Sequence, residues 1–129
     1  AAAFDELAGR PEVDPERMAI IGASIGTQEG LTFAAAHPEQ VRGAALLSTF
    51  ASWEIEDAIQ SYPGAVLLLA SQGDVAATQV SRQLAKLAPK AKLVILKNSD
   101  RHGTQMLRSE LKVEPILLDW LAETFNPKN

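Results

Sequence analysis

The sequence predicts an α/β fold built on about four parallel strands with flanking helices, and three observations carry that expectation. Four short apolar runs stand out: Arg17–Gly22, Val41–Leu47, Ala65–Ser71 and Lys92–Lys97. Each is continuous rather than alternating, as expected of strands in a sheet covered on both faces. Helical patterns lie between the runs, and strand–helix alternation with short connections implies parallel strands joined by right-handed crossovers.

Taken in order, Ala1–Ala8 reads as an opening helix closed by Gly9. Arg17–Gly22 is the first strand. Ile25 to His37 is rich in small and apolar residues, and Pro38 closes that helix. After the second strand, Val41–Leu47, a shorter helix over Trp53–Gln60 is stopped by Tyr62-Pro63-Gly64. The third strand, Ala65–Ser71, precedes a helix whose buried face is marked by Ala77, Val80, Leu84 and Leu87, ended by Pro89. Beyond the fourth strand, Ile116 and Trp120 with Leu117, Leu121 and Phe125 make a final amphipathic stripe. Pro115 suits its first turn and Pro127 follows its end. Trp53 and Trp120 are expected to pack within their helical stripes. Right-handed connections put the helices after the first three strands on one face and leave the last helix for the other.

The chain has 129 residues, the size of one domain spanning 1–129, with Lys plus Arg 12 and Asp plus Glu 16, a net charge of −4. That balance argues against nucleic acid and against anionic membrane surfaces as partners. There is no cysteine, hence no disulfide framework, no thiolate nucleophile and no Cys-ligated zinc; the absence fits a reducing compartment, and a cytoplasmic location is expected. The longest apolar stretch, Ala65–Ala70, is far short of the roughly 20 residues of a spanning helix. The opening residues carry acids too early for a signal peptide, and the missing initiator Met fits a processed or excised chain. Lys86, Lys90, Lys92 and Lys97 read as a solvated rim. No Walker or G-x-G-x-x-G pattern occurs, and His37 and His102 lack metal-ligand spacing, so neither cofactor nor metal is expected.

Ligands of open α/β sheets sit outside the carboxyl ends of the strands. Three sequence signals fall there. The first strand runs into Gly22-Ala23-Ser24-Ile25-Gly26, a G-x-S-x-G pattern between strand and helix. Small residues at Gly22 and Gly26 would let the backbone close sharply and lift the Ser24 hydroxyl above the sheet. The bland alternative is a plain turn with Ser24 as helix cap. The third strand ends in Ser71-Gln72-Gly73-Asp74, where Asp74 is a helix cap or an acid able to reach across the sheet. After the fourth strand comes Asn98-Ser99-Asp100-Arg101-His102-Gly103, with His102 in a loop. A neutral imidazole is the side chain best suited to take a serine proton near neutral pH. The three occur in the order Ser, Asp, His, each after a different strand, as a triad requires: Ser24 as nucleophile, His102 as base, Asp74 as its orienting acid. Asp100 is the rival acid, two residues before His102. His37 reads as a residue at a helix C-terminus.

These segments resemble the α/β-hydrolases, in particular the dienelactone-hydrolase-like and esterase branches. Val13 through Gly26 is similar to the approach to the nucleophile elbow, Ala34 through Gly43 to the segment beyond the elbow helix, Ala70 through Asp74 to the acid loop, and Asp100 through Thr104 to the histidine loop. Dienelactone hydrolases proper carry Cys at the elbow; Ser24 points to ordinary ester chemistry. The resemblance implies a serine hydrolase acting on a small-molecule carboxylic ester, with the backbone N–H of Ile25 in the oxyanion hole.

The resemblance also marks what is lacking. In the family the elbow strand lies mid-sheet, whereas here it comes first, and the preceding loop that supplies the second oxyanion donor is absent. A homodimer, or a missing partner segment, is expected to cover the bare edge Met18-Ala19-Ile20-Ile21. Three readings stay open: an active esterase, a weak or inactive hydrolase remnant serving dimerisation or ligand binding, and the C-terminal part of a longer hydrolase.

Overall fold

The four apolar runs become four strands, the inner two buried on both faces and the outer two only in part. In a computed structural model, which describes residues 2–128, the elements are α1 (Ala2–Ala8), β1 (Met18–Ala23), α2 (Ile25–Ala36), β2 (Val41–Leu47), α3 (Trp53–Ser61), β3 (Ala65–Ser71), α4 (Val75–Leu87), β4 (Lys92–Leu96), two short 3-10 turns (Gly103–Leu107 and Ser109–Leu111) and α5 (Val113–Phe125). Ala1, the expected first residue of the opening helix, lies outside the described residues. The strands form one parallel sheet in the order β1-β2-β3-β4.

Two layers of apolar side chains hold the helices to it. On one face Leu46 and Leu68 meet Leu31 and Ala34 of α2, Ile55 and Ile59 of α3 and Leu84 of α4. On the other, Ala45, Leu47, Leu67 and Leu69 pack on Met106 and on Val113, Leu117 and Trp120 of α5. Trp120 is 3% exposed, in the core as its stripe predicts. Gly43 makes room for it, since a Cβ there would lie 2.9 Å from the indole ring. Each fully buried Leu contributes about 1.5–3 kcal/mol of transfer free energy. Leu68→Ala, at the centre of β3, would cost about 2–5 kcal/mol through the cavity left behind.

Local chemistry sets the helix starts. Ser52 caps α3, accepting from the Ile55 N–H at 3.2 Å. Asp74 caps α4, which therefore begins two residues before the Ala77 stripe. Tyr62 closes α3 and donates its hydroxyl to the Val41 carbonyl at 2.8 Å, tying this helix to the start of β2. Burial pushes the Tyr62 phenol up to about 12, offset in part by the Arg42 charge. The two outer strands differ from the inner pair: β4 is only half-buried, and on β1 Ile21 is 48% exposed. Among the described residues no helix is long and apolar enough to cross a membrane.

Candidate active site

All three signals lie at the carboxyl edge of the sheet, because parallel strands end on the same side. Ser24 occupies the single residue between β1 and α2, at φ 53° and ψ −120°, a conformation L-residues rarely adopt. Such strain costs on the order of 1–3 kcal/mol and persists only where the surroundings enforce it. Here they do. The Ser24 N–H donates to the Leu47 carbonyl at 2.9 Å, extending the β1–β2 ladder. Its carbonyl accepts from the Thr27 N–H at 3.0 Å and from Thr27 Oγ1 at 2.6 Å. The tight turn depends on Gly22, where a Cβ would collide with the Gly26 carbonyl. Gly26 differs from expectation: the space its own Cβ would occupy is open, so it contributes a carbonyl to the crossing rather than a missing side chain.

The hydroxyl raised by this turn meets an imidazole. His102 Nε2 lies 2.8 Å from Ser24 Oγ, and His102 Nδ1 lies 2.5 Å from Asp74 Oδ2. Asp74 combines the two roles that its sequence position left open. Oδ1 accepts from the Ala77 N–H at 3.5 Å as a loose helix cap, while Oδ2 faces the ring. The carboxylate is 15% exposed and the imidazole 51%, so the carboxylate is sheltered and the ring open to solvent. The rival acid, Asp100, lies against Gly73 in the neighbouring loop, and the imidazole's partner is Asp74. Ile25 opens α2, where the first N–H groups have no carbonyl one turn back and favour negative charge. Hydroxyl, imidazole and carboxylate in this sequence can pass a proton from oxygen to nitrogen while the far ring nitrogen is held by the acid.

Further bonds hold the histidine loop. Ser71 and Ser99 share a hydrogen bond at 3.0 Å between their hydroxyls, and the Gly73 N–H donates to the Ser99 carbonyl at 2.8 Å. Ser48, directly after β2, is fully buried at φ 57°. Its Oγ accepts from the Gly103 N–H at 2.8 Å and donates to Met106 Sδ at 3.1 Å. Nothing in the sequence singled Ser48 out.

Trp53 corrects an expectation. It does not pack; it is 75% exposed at the start of α3. The buried face of that helix is Ile55, Ala58 and Ile59, and a residue two positions before Ile55 lies on the opposite side of a 3.6-residue spiral. His37 caps the far end of α2, its ring 4.5 Å from Phe33, away from the reactive edge. Among the described residues no three His, Asp or Glu side chains gather as a metal site would require.

No family model and no curated protein matches the chain. Solved structures do. A dienelactone hydrolase from Anabaena variabilis superimposes with a TM-score of 0.77 at 19% identity, over 95% of this chain and 56% of that one. A CIB-like hydrolase from Thermoplasma acidophilum gives 0.70 at 19% identity, over 83% and 51%. Est1E from Butyrivibrio proteoclasticus gives 0.72 at 17% identity, over 94% and 67%. The chain thus spans about half the length of the first two. The four-stranded parallel sheet and its helices are those of the α/β-hydrolase fold, in a reduced form.

Proposed function

We propose that this chain is a serine hydrolase that cleaves carboxylic esters through an acyl-Ser24 intermediate. The observation carrying this reading is the unbroken pair of hydrogen bonds from Ser24 Oγ through His102 to Asp74. Ser24 Oγ attacks the ester carbonyl as its proton passes to His102 Nε2. The Asp74 carboxylate orients the ring and stabilises the imidazolium. Negative charge on the former carbonyl oxygen meets the Ile25 N–H at the start of α2. His102 then returns the proton to the departing alcohol, and water repeats the sequence to release the acid. A second oxyanion donor would come from a further segment or another copy of the chain; lacking one donor typically costs on the order of 10²–10³ in rate.

The surroundings favour an uncharged ester with an apolar acyl or aryl group. Ile25 and Val75 are exposed large apolar residues, and each opens the helix that follows the carboxyl end of a strand. Ile25 directly follows Ser24, and Val75 directly follows Asp74.

A second reading, a hydrolase-fold module for dimerisation or ligand binding, draws on the half-length match and on the unpaired, apolar β1 edge. Labelling with a fluorophosphonate probe separates the two, because only an activated serine reacts fast. Rapid modification of the wild-type chain, lost in Ser24→Ala, supports the hydrolase; equal labelling of both proteins rejects it.

A further inference from the structure

We infer that Ser48 is a positioning residue that sets the His102 imidazole against Ser24, an inference that rests on the proposed roles of those two residues. The end of β2 reaches both halves of the reactive pair. The Leu47 carbonyl accepts the Ser24 N–H at 2.9 Å, and the next residue, Ser48, holds the turn that follows His102. It does so twice. Oγ accepts from the Gly103 N–H at 2.8 Å, and its own proton points to Met106 Sδ at 3.1 Å, so the first and fourth residues of this 3-10 turn are tied to one hydroxyl. Ser48 is itself anchored, its N–H donating to the Leu69 carbonyl at 2.9 Å.

Two features argue that the hydroxyl, rather than the backbone alone, matters at this position. Ser48 adopts φ 57°, which glycine would adopt without strain, yet the residue there carries a side chain whose oxygen has two partners in the histidine turn. The turn it holds lies beside the elbow: Gly103 is also left-handed at φ 56°, and a Cβ on it would touch Ser24 Cβ at an ordinary van der Waals distance of 3.6 Å. A shift of the Gly103 N–H away from Ser48 would therefore change the distance between His102 Nε2 and Ser24 Oγ. Misplacing a catalytic group by about 1 Å can cost on the order of 10²-fold.

The test measures the second-order rate of Ser24 phosphonylation by a fluorophosphonate, with thermal midpoints recorded alongside. Ser48→Ala and Ser48→Gly are expected to label about ten- to a hundred-fold more slowly than wild type. Ser48→Cys, which keeps a weaker acceptor at the same place, should recover part of the rate. With a short-chain ester the loss should fall on kcat and leave KM unchanged. Ile59→Ala, in the core on the α2–α4 face, is the control for stability alone and should label at the wild-type rate even with a larger drop in thermal midpoint. Should Ser48→Ala fail to fold, Ser48→Gly carries the test, because it relieves the left-handed strain while removing the hydroxyl. Wild-type labelling in either variant, or an equal loss in Ile59→Ala, would overturn the positioning role. If wild-type protein labels no faster than Ser24→Ala, the nucleophile itself is misidentified and both proposals fall.

Discussion

Asp74 Oδ2 and His102 Nδ1 are 2.5 Å apart across 28 residues of sequence, while the other oxygen of the same carboxylate caps α4. One side chain thus starts a helix and holds a ring. Asp74→Asn should cost far more activity than Asp100→Asn. In the serine-protease triad the equivalent change costs about 10⁴ in kcat, because the amide favours the wrong imidazole tautomer. Kinetics of the two variants on one short-chain ester decide it; equal losses would move the acid to Asp100.

On the proposed mechanism His102 accepts the Ser24 proton, which it can do only when uncharged. Hydrolysis should therefore rise with pH along a single ionisation, and His102→Gln should both flatten that profile and nearly abolish turnover. A pH step of unchanged size in the variant would mean that another group serves as base.

Tyr62 makes stability sensitive to alkali. Its phenol is pushed up to about 12 in the fold, against an ordinary value near 10 in the unfolded chain. Between those values the native state holds the extra proton, so this stabilising term is intact below about pH 10 and is lost as pH rises towards 12. Tyr62→Phe should lower stability near neutral pH by about 1 kcal/mol for the missing bond to Val41. It should also reduce the alkaline decline. Thermal midpoints of both proteins across this range are the measurement, and parallel curves would contradict it.

The two tryptophans should behave as opposites. Trp120→Ala empties a core site and should cost about 3–5 kcal/mol. Trp53→Ala removes an exposed ring and should change stability by no more than about 0.5 kcal/mol. Chemical denaturation of both variants is the measurement, and a comparable loss in each would mean that Trp53 packs after all.

At the β1 edge, Met18-Ala19-Ile20-Ile21 offers unpaired backbone groups and no Lys or Pro to discourage pairing. Self-association at micromolar concentration is expected, and Ile21→Lys should reduce it. Sedimentation of the two proteins measures this; a stable, soluble wild-type monomer would show that the edge needs no cover.

Much of this architecture was legible because burial leaves a plain signature. The inner strands, Val41–Leu47 and Ala65–Ser71, match their apolar runs residue for residue, since both faces are covered along nearly their whole length. The outer strands deviate by a residue at their ends, where pairing is one-sided. The approach of Ser24, Asp74 and His102 follows from parallel topology, which brings every strand end to one edge. Trp53 departs from the expected stripe because a nine-residue helix offers too few turns to separate a stripe from its flank. Ser48 leaves no trace in the sequence because its partners lie 55 and 58 residues downstream, and a lone serine after a strand carries no mark of a contact made by another loop.

The strand order has a consequence for how the molecule is made. Each strand pairs only with its neighbours in sequence, so the sheet can be assembled one strand at a time, each step closing a short loop. The Ser24–His102 bond is of another kind: it closes a span of 78 residues, from the end of the first strand to the loop after the last. The reactivity of Ser24 is then a gauge of finished folding. In a refolding time course, phosphonylation should appear after β-sheet ellipticity has recovered, because on the proposed mechanism the loop after the last strand brings His102 to a Ser24 that the first strand sets in place.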